Sequence, residues 1–456
     1  MTRVEEPRRR PLDGAPGPTI QDLLDQEDVP VPETLRFESS VDLGTGDIPR
    51  HRYFSRAWHD LEVEKLWTRV WQVACREEDI PEVGDTLVYD IADRSLVLVR
   101  GPGDVIRAFH NACLHRGRQL RTEDGCVAEL RCPFHGFTWD LSGRLTDVPS
   151  PWDFPHVDAG QFCLPEALVG TWAGWVFVNP DVGAEPLESF LGDLIEHWKV
   201  WPMEERAKTL HVVKYMPCNW KVAMEAFLES YHVIATHPQL LINLGDANTE
   251  YDVYEGQPHF NRMISAQAVA SPHLGTIVSE QDIFDSLVGR KSGEPPVVEL
   301  RDGQRARRLV ADKVRARLSQ TAGRDIACTD SEALDGIQYQ VFPNFVPWGG
   351  YNQINYRFRP NGNDPETSIM DLMMLSPFPE GARPPAARPI VLGFDDPWTD
   401  VAELGRLAVI FEQDMANLGP VQRGLHASVK PGVTLGRYQE SRIRHYHRTL
   451  QSYLEA

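Results

Sequence analysis

The chain has 456 residues, 42% of them hydrophobic and 25% charged, with 46 Lys and Arg against 66 Asp and Glu and a formal net charge of −20. That length accommodates two or three domains and a large core, and the negative charge is a poor match for nucleic acid or for anionic membrane surfaces. No apolar run approaches the roughly 20 residues that span a bilayer, and the basic patch Arg8-Arg9-Arg10 is not followed by the apolar stretch of a secretory signal, so a cytoplasmic protein is expected.

Residues 1–35 are rich in Pro and charge and read as an irregular arm with one short helix near Ile20–Leu24. Ser55–Val73 has apolar residues at three- and four-residue steps (Trp58, Leu61, Leu66, Trp67, Val70, Trp71), which predicts a helix. From Gly84 to about Gly170, short β-rich runs punctuated by Gly and Pro predict a small antiparallel β domain. A strand pair at Trp172–Val178 and a helical stretch at Leu187–Trp201 follow, and then a long helix over Asn219–Ile234. Residues 256–335 show no pattern that organises them. Two later strands stand out at Gln338–Phe342 and Ser368–Leu375, and a final helix spans Asp400–Leu418. The expected class is α+β, divided into an arm (1–45), a small β domain (46–170) and a larger domain (171–456).

Two short motifs lie close together, Cys113-Leu114-His115-Arg116-Gly117 and Cys132-Pro133-Phe134-His135-Gly136. Each offers one thiolate and one imidazole. Two thiolates can hold one iron of a two-iron, two-sulfur cluster and two neutral imidazoles the other, which raises the potential above that of an all-Cys cluster. Gly117 and Gly136 let each loop turn tightly and bring backbone N–H groups toward the sulfurs. The alternative is a structural zinc site, but the usual zinc spacings pair Cys with Cys and His with His. The chain has seven cysteines, an odd number spread over a long sequence, which argues against a disulfide framework. Cys126 fits neither loop, and Cys75, Cys163, Cys218 and Cys328 read as small buried hydrophobes.

A second group is Asn219-Trp220-Lys221, Glu225, Glu229, His232 and His237-Pro238. Glu229 and His232 are three apart and share a helix face. On an unbroken helix His237 would lie about 140° around from His232, so both imidazoles reach one metal only if the helix ends or distorts between them. Pro238 disfavours helix at His237. Two imidazoles and one carboxylate leave coordination positions open for O2. The carboxylate must come from elsewhere; Asp414 is the candidate, with Glu412 as the fallback. On the bland reading the His is a satisfied core residue, the Glu side chains are solvated and Asn219 is a helix cap. The apolar surroundings (Val222, Met224, Phe227, Leu228, Tyr231, Val233) predict burial, and buried carboxylates need partners.

Both groups resemble those of Rieske non-haem iron ring-hydroxylating oxygenase α subunits. The first stretch, continued by Phe137, Trp139 and Asp140, resembles the Rieske domain; the second, from Asn219-Trp220-Lys221 through Tyr231-His232 to His237, resembles the catalytic domain. The resemblance implies a small antiparallel Rieske domain before a helix-grip (START-like) catalytic domain with a large antiparallel sheet. It implies a 2Fe-2S cluster on Cys113, His115, Cys132 and His135, and one mononuclear Fe(II) on His232, His237 and Asp414. Glu229, where Asp is commoner, would bridge the two centres, and Glu229 and Asn219 are the residues assigned to catalysis. It further implies electrons from NAD(P)H through a flavin reductase or ferredoxin, and a homotrimer, with or without a small β subunit, in which each cluster faces a neighbour's iron. The expected reaction is O2-dependent hydroxylation or dihydroxylation of a small, aromatic substrate; oxidative O- or N-demethylation uses the same ligands. The rival non-enzyme readings, a lone electron carrier or a zinc-stabilised interaction protein, leave Glu229, His232 and His237 idle. Arg116, Arg118, Arg121 and Arg131, around the cluster loops, read either as solvated charge or as a docking patch for an acidic redox partner.

Overall fold

A computed structural model describes residues 17–289 and 298–456; Arg8-Arg9-Arg10 and the first part of the expected arm lie outside them. The short helix Ile20–Leu24 is present, and Thr19 and Asp22 close a capping box at its start.

The β-rich part builds a seven-stranded antiparallel sheet. Its order is Gln72–Arg76, Trp175–Asn179, Glu166–Trp172, Ile106–His110, Arg94–Arg100, Asp85–Ile91 and Gly125–Cys126. A three-stranded sheet of Leu130–Arg131, Thr138–Trp139 and Leu145–Asp147 carries the second Cys-His loop. The larger part is an eight-stranded sheet, ordered Leu244–Val253, Phe260–Gln267, Gly336–Val341, Phe345–Pro347, Ile354–Asn361, Asp364–Pro377, Arg206–Met216 and Ile390–Leu392. Only the last pairing is parallel. Gly336–Val341 is buried at every position, so this central strand is covered on both faces and lacks the polar-apolar alternation of a half-exposed one.

Strand pairing spans the expected boundary at 170/171. Trp175–Asn179 pairs with both Gln72–Arg76 and Glu166–Trp172, so the seven-stranded sheet runs past residue 170. Ile48–Pro49 pairs with Gly432–Val433 near the end of the chain. Glu62, on the Arg56–Glu62 helix, forms an ion pair of 2.7 Å with Lys221, both side chains fully buried. It also accepts from the Trp220 indole at 3.2 Å, tying the early helix to the one that precedes the His motif.

Several elements differ from expectation. The Ser55–Val73 helix is Arg56–Glu62 followed by one π turn, Val63–Trp67, and the chain then enters the Gln72–Arg76 strand. Val70 and Trp71 kept the helical rhythm because they are core residues. Leu187–Trp201 is two short helices, Leu187–Leu191 and Leu194–Trp198, parted by Gly192 at φ +53°. The last helix of the sequence reading is Arg406–Ala427, with Pro420 inside it. A further helix, Ser441–Glu455, closes the chain. The stretch 256–335 contains the strand Phe260–Gln267 and the helices Glu280–Leu287, Ala306–Ala322 and Asp330–Leu334.

Candidate metal centres

The two Cys-His loops fold as near copies. In one, the Gly117 N–H donates to the Cys113 carbonyl at 2.8 Å and the Cys113 N–H to the Arg118 carbonyl at 2.8 Å. In the other, Gly136 donates to Cys132 at 3.0 Å and Cys132 to Phe137 at 2.8 Å. Gly117 (φ +75°) and Gly136 (φ +82°) adopt the left-handed conformation that closes each loop without a Cβ penalty.

The loops face each other. Cys113 and Cys132 are 3% and 2% exposed, and their thiols are within hydrogen-bonding reach. Burial pushes the Cys113 thiol above its usual range, opposed by the backbone N–H groups of His115 and Arg116 that point at its sulfur. The His115 and His135 rings meet edge to face at 4.7 Å, and Phe137 stacks on His115 at 4.8 Å. His115 Nδ1 is buried with no hydrogen-bond partner. An orphaned imidazole nitrogen beside a second His and a thiol pair is the arrangement a mixed-ligand cluster requires. Desolvation, then His135 and Arg116, lowers the His115 pKa, which favours the neutral ring that binds metal. Cys126 and Cys163 are exposed, which corrects the buried expectation for Cys163; Cys75, Cys218 and Cys328 are buried.

The second centre forms where the expected Asn219–Ile234 helix breaks. Helix runs only over Trp220–Glu225. Phe227 and Leu228 then make tight i→i−3 bonds, and the Ser230 N–H is taken by the Tyr251 hydroxyl at 2.9 Å. Helix resumes for Val233–Thr236 and ends at His237 (φ −126°, ψ 52°), just before Pro238. Tyr231, expected inside, is 53% exposed.

The break brings both imidazoles onto one carboxylate. His237 Nε2 is 2.9 Å from Asp414 Oδ1, and His232 Nε2 is 3.6 Å from the same oxygen. Ligand atoms of the three residues all lie within 4.8 Å of one another. Each ring is held from behind: His232 Nδ1 is 2.7 Å from Glu229 Oε1, and His237 Nδ1 is 2.9 Å from Gln413 Oε1. Glu229 also accepts from the His232 backbone N–H at 2.9 Å. Burial alone would lower the His232 pKa, but the Glu229 bond and the charges of Glu229 and Asp414 raise it. A metal cation between the rings and Asp414 would relieve this unbalanced negative charge, so the donor set fits a two-His, one-carboxylate iron site.

Asp414 rather than Glu412 faces the imidazoles; Glu412 accepts from the Trp398 backbone N–H. Asn219, assigned to catalysis by the resemblance, stands at the N-cap of the Trp220–Glu225 helix. Its Oδ1 accepts from the Lys221 N–H at 3.0 Å and its Nδ2 donates to the Pro365 carbonyl at 2.5 Å, so both ends of the amide are engaged. Gln413 was missed by the sequence reading; its only signal is that it adjoins Asp414.

A cavity of about 800 Å³ opens beside His232, His237 and Asp414, walled by Phe227, Trp348, Tyr356 and Phe411. A smaller hollow of about 350 Å³ shares Glu229, His232 and Asp414 with it and adds Glu225, Glu440, Leu418 and Leu425 to its lining.

The family model of the ring hydroxylating alpha subunit catalytic domain matches residues 199–456, more than half the chain. The chain belongs to this family. A Rieske [2Fe-2S] domain model matches residues 70–158. The chain therefore carries a Rieske [2Fe-2S] domain followed by a ring hydroxylating alpha subunit catalytic domain, a kind that binds mononuclear iron. Its likeness extends through the central stretch that offered no motif.

The chain is 31% identical over 239 residues to the biphenyl dioxygenase subunit alpha of Paraburkholderia xenovorans, covering 50% of this chain and 52% of that one. It is 28% identical over 202 residues to the glycine betaine monooxygenase oxygenase subunit of Pseudomonas aeruginosa, covering 43% and 46%. The chain thus spans about half the length of the curated relatives it matches. Among solved structures, a quaternary ammonium Rieske monooxygenase in complex with L-carnitine superposes with a TM-score of 0.63 at 18% identity, over 91% of this chain and 99% of that one. That likeness shows the fold. No helix among the described residues is long and apolar enough to cross a membrane.

Proposed function

We propose that the chain is the catalytic subunit of an oxygenase that uses O2 and electrons from a reductase, directly or through a ferredoxin, to hydroxylate or dihydroxylate a small organic substrate in the cytoplasm. The observation that carries this reading is the convergence of His232, His237 and Asp414 at the edge of a walled cavity of about 800 Å³. Cys113, His115, Cys132 and His135 would hold the cluster, and His232, His237 and Asp414 the mononuclear iron. When bound, the two metals supply one-electron transfer and O2 activation. The protein's own groups orient and enclose: Glu229 and Gln413 fix which nitrogen of each imidazole is presented, and the aromatic walls exclude water. A second reading, oxidative O- or N-demethylation, is supported by the monooxygenases among the relatives.

A ring of three subunits is proposed on complementary surfaces. The second cluster loop presents exposed Phe134 (56%), with Arg116 over its ring at 5.2 Å, and the turn Pro151–Asp153 presents Trp152 (80%). The smaller hollow at Glu229 combines apolar Leu418 and Leu425 with Glu225, Glu229 and Glu440. Glu229 would then hydrogen-bond His232 on its own chain and His115 or His135 of the next. By this reading residues 46–170 form the Rieske unit, extended by the strand to Asn179.

A product screen with a surrogate reductase, over aromatic, alicyclic and methylated compounds, tests the activity. Oxygenated or demethylated product that depends on the reductase is expected; its absence with both metals in place would remove the reading. If those of Arg116, Arg118, Arg121 and Arg131 that lie outside the subunit contact dock an acidic redox partner, turnover with that partner falls as ionic strength rises, and a salt-independent rate excludes the patch.

A further inference from the structure

The cavity beside His232, His237 and Asp414 is walled by rings. Tyr356 lies 5.0 Å from Phe227, 6.1 Å from Trp348 and 6.3 Å from Phe411, centroid to centroid. Its neutral polar lining is mostly satisfied from within. Ser230 and Ser265 hydroxyls are paired at 2.8 Å, the Asn243 amide donates to Ser286 at 2.9 Å, and Gln338 accepts from Arg442 at 2.8 Å.

Two polar groups of the wall stand apart. Tyr356 is 3% exposed, yet among the described residues its hydroxyl makes no hydrogen bond. Burial and then the Asp414 charge raise its pKa, so it remains a protonated donor at neutral pH. Trp348 Nε1 is buried and unpartnered, and an indole N–H can only donate. Outside the metal-binding corner, the one charged side chain in the described lining is Arg406, an exposed residue whose guanidinium donates to the Leu287 carbonyl at 2.9 Å. Buried donors left unpaired destabilise a site unless a ligand satisfies them. The wall therefore asks for an acceptor, and offers no carboxylate beyond Glu229 and Asp414 to balance a cation.

We propose that the cavity takes an uncharged, mainly apolar ring compound bearing a hydrogen-bond-accepting oxygen, and that the Tyr356 hydroxyl donates to that oxygen and so sets which carbon faces the His232–His237–Asp414 corner. This rests on reading the cavity as the substrate site of the oxygenase. A hydroxyl aimed at one acceptor discriminates between substrates that differ only in that atom far more strongly than apolar walls do.

The test is a pair of probes of nearly equal shape, indane and 1-indanone, titrated calorimetrically into anaerobic holoenzyme, with benzyltrimethylammonium as a cationic third. Wild type should bind 1-indanone at least about tenfold more tightly than indane, and more tightly than the cation. Tyr356→Phe should abolish that preference while leaving indane affinity within about twofold. Equal affinities in wild type, a preference that survives Tyr356→Phe, or tightest binding of the cation would each overturn the proposal. Iron content and the visible spectrum of the same samples separate the two readings. Discrimination without mononuclear iron would sink the oxygenase assignment and leave only the Tyr356 hydrogen bond to a ligand oxygen standing; iron with no discrimination would overturn this inference and leave the oxygenase assignment intact.

Discussion

Gln413 holds His237 from behind: its Oε1 lies 2.9 Å from His237 Nδ1, while His237 Nε2 points at Asp414. Gln239 donates to the same Gln413 oxygen at 2.6 Å and fixes the amide's orientation. His232 is backed instead by the Glu229 carboxylate at 2.7 Å. The two imidazoles are thus presented alike but supported unequally, one by a neutral amide and one by a charge.

Replacing Gln413 by Leu removes the acceptor that selects the His237 tautomer. Loss of such a supporting bond typically costs about 10- to 100-fold in metal affinity. Titration of Fe(II) into metal-depleted protein should show that loss in Gln413→Leu, with the cluster absorbance unchanged. Wild-type affinity would mean the amide only packs.

Glu229→Gln keeps a side chain of the same shape but removes the charge that faces both His232 and the Glu225–Glu440 hollow. The variant should retain both metals and lose most of its rate of electron transfer between them. The reading is single-turnover reoxidation of the reduced cluster with substrate and O2; a wild-type rate excludes a bridging role.

Asp414 contributes the only carboxylate among the described residues that gathers with His232 and His237. Asp414→Ala should lower metal content from about three irons per chain to about two, leaving the cluster's colour intact. Retention of the third iron would place the carboxylate ligand elsewhere.

A pH prediction comes from the eight-stranded sheet. His211 Nε2 is 2.9 Å from Asp371, whose carboxylate also receives Arg357 at 3.0 Å and Arg359 at 3.2 Å. Burial, outweighing the Asp371 bond, lowers the His211 pKa, so the unfolded chain takes up its proton first. Stability should fall as pH drops below about 6.5, the value of a free imidazole. Burial would raise Asp371, but Arg357, Arg359 and His211 hold it well below the usual carboxylate range. Its stabilising contribution is present above the unfolded value of about 3.9 and is lost only in stronger acid. Urea midpoints measured from pH 7 to pH 5 should therefore drop less in His211→Gln than in wild type; parallel curves would show that His211 is not the group responsible.

The cluster loops were legible because their ligands and glycines lie within two short runs, and local sequence is enough to fold them. The iron corner was legible in part. His232 and His237 are near in sequence, and Pro238 signalled the helix end, but the earlier break at Ala226–His232 depends on Tyr251 capturing the Ser230 N–H, a contact from a distant strand. The last helix stayed hidden for a similar reason. Ser441–Glu455 carries Arg442, Arg444, His445 and His447, polar residues that interleave with its apolar ones. All four are buried, with Arg442 bound to Asn261, the Leu228 carbonyl and Gln338. Partners more than a hundred residues away leave no periodic trace.

The spacing of the ligands along the chain sets an order of assembly during synthesis. Cys113 and His135 lie in one short stretch and emerge from the ribosome almost together. His237 and Asp414 are 177 positions apart, and His447, which grips Glu225 at 2.8 Å, comes later still. The His232–His237–Asp414 corner therefore cannot close until Asp414 has been synthesised, long after the two Cys-His loops.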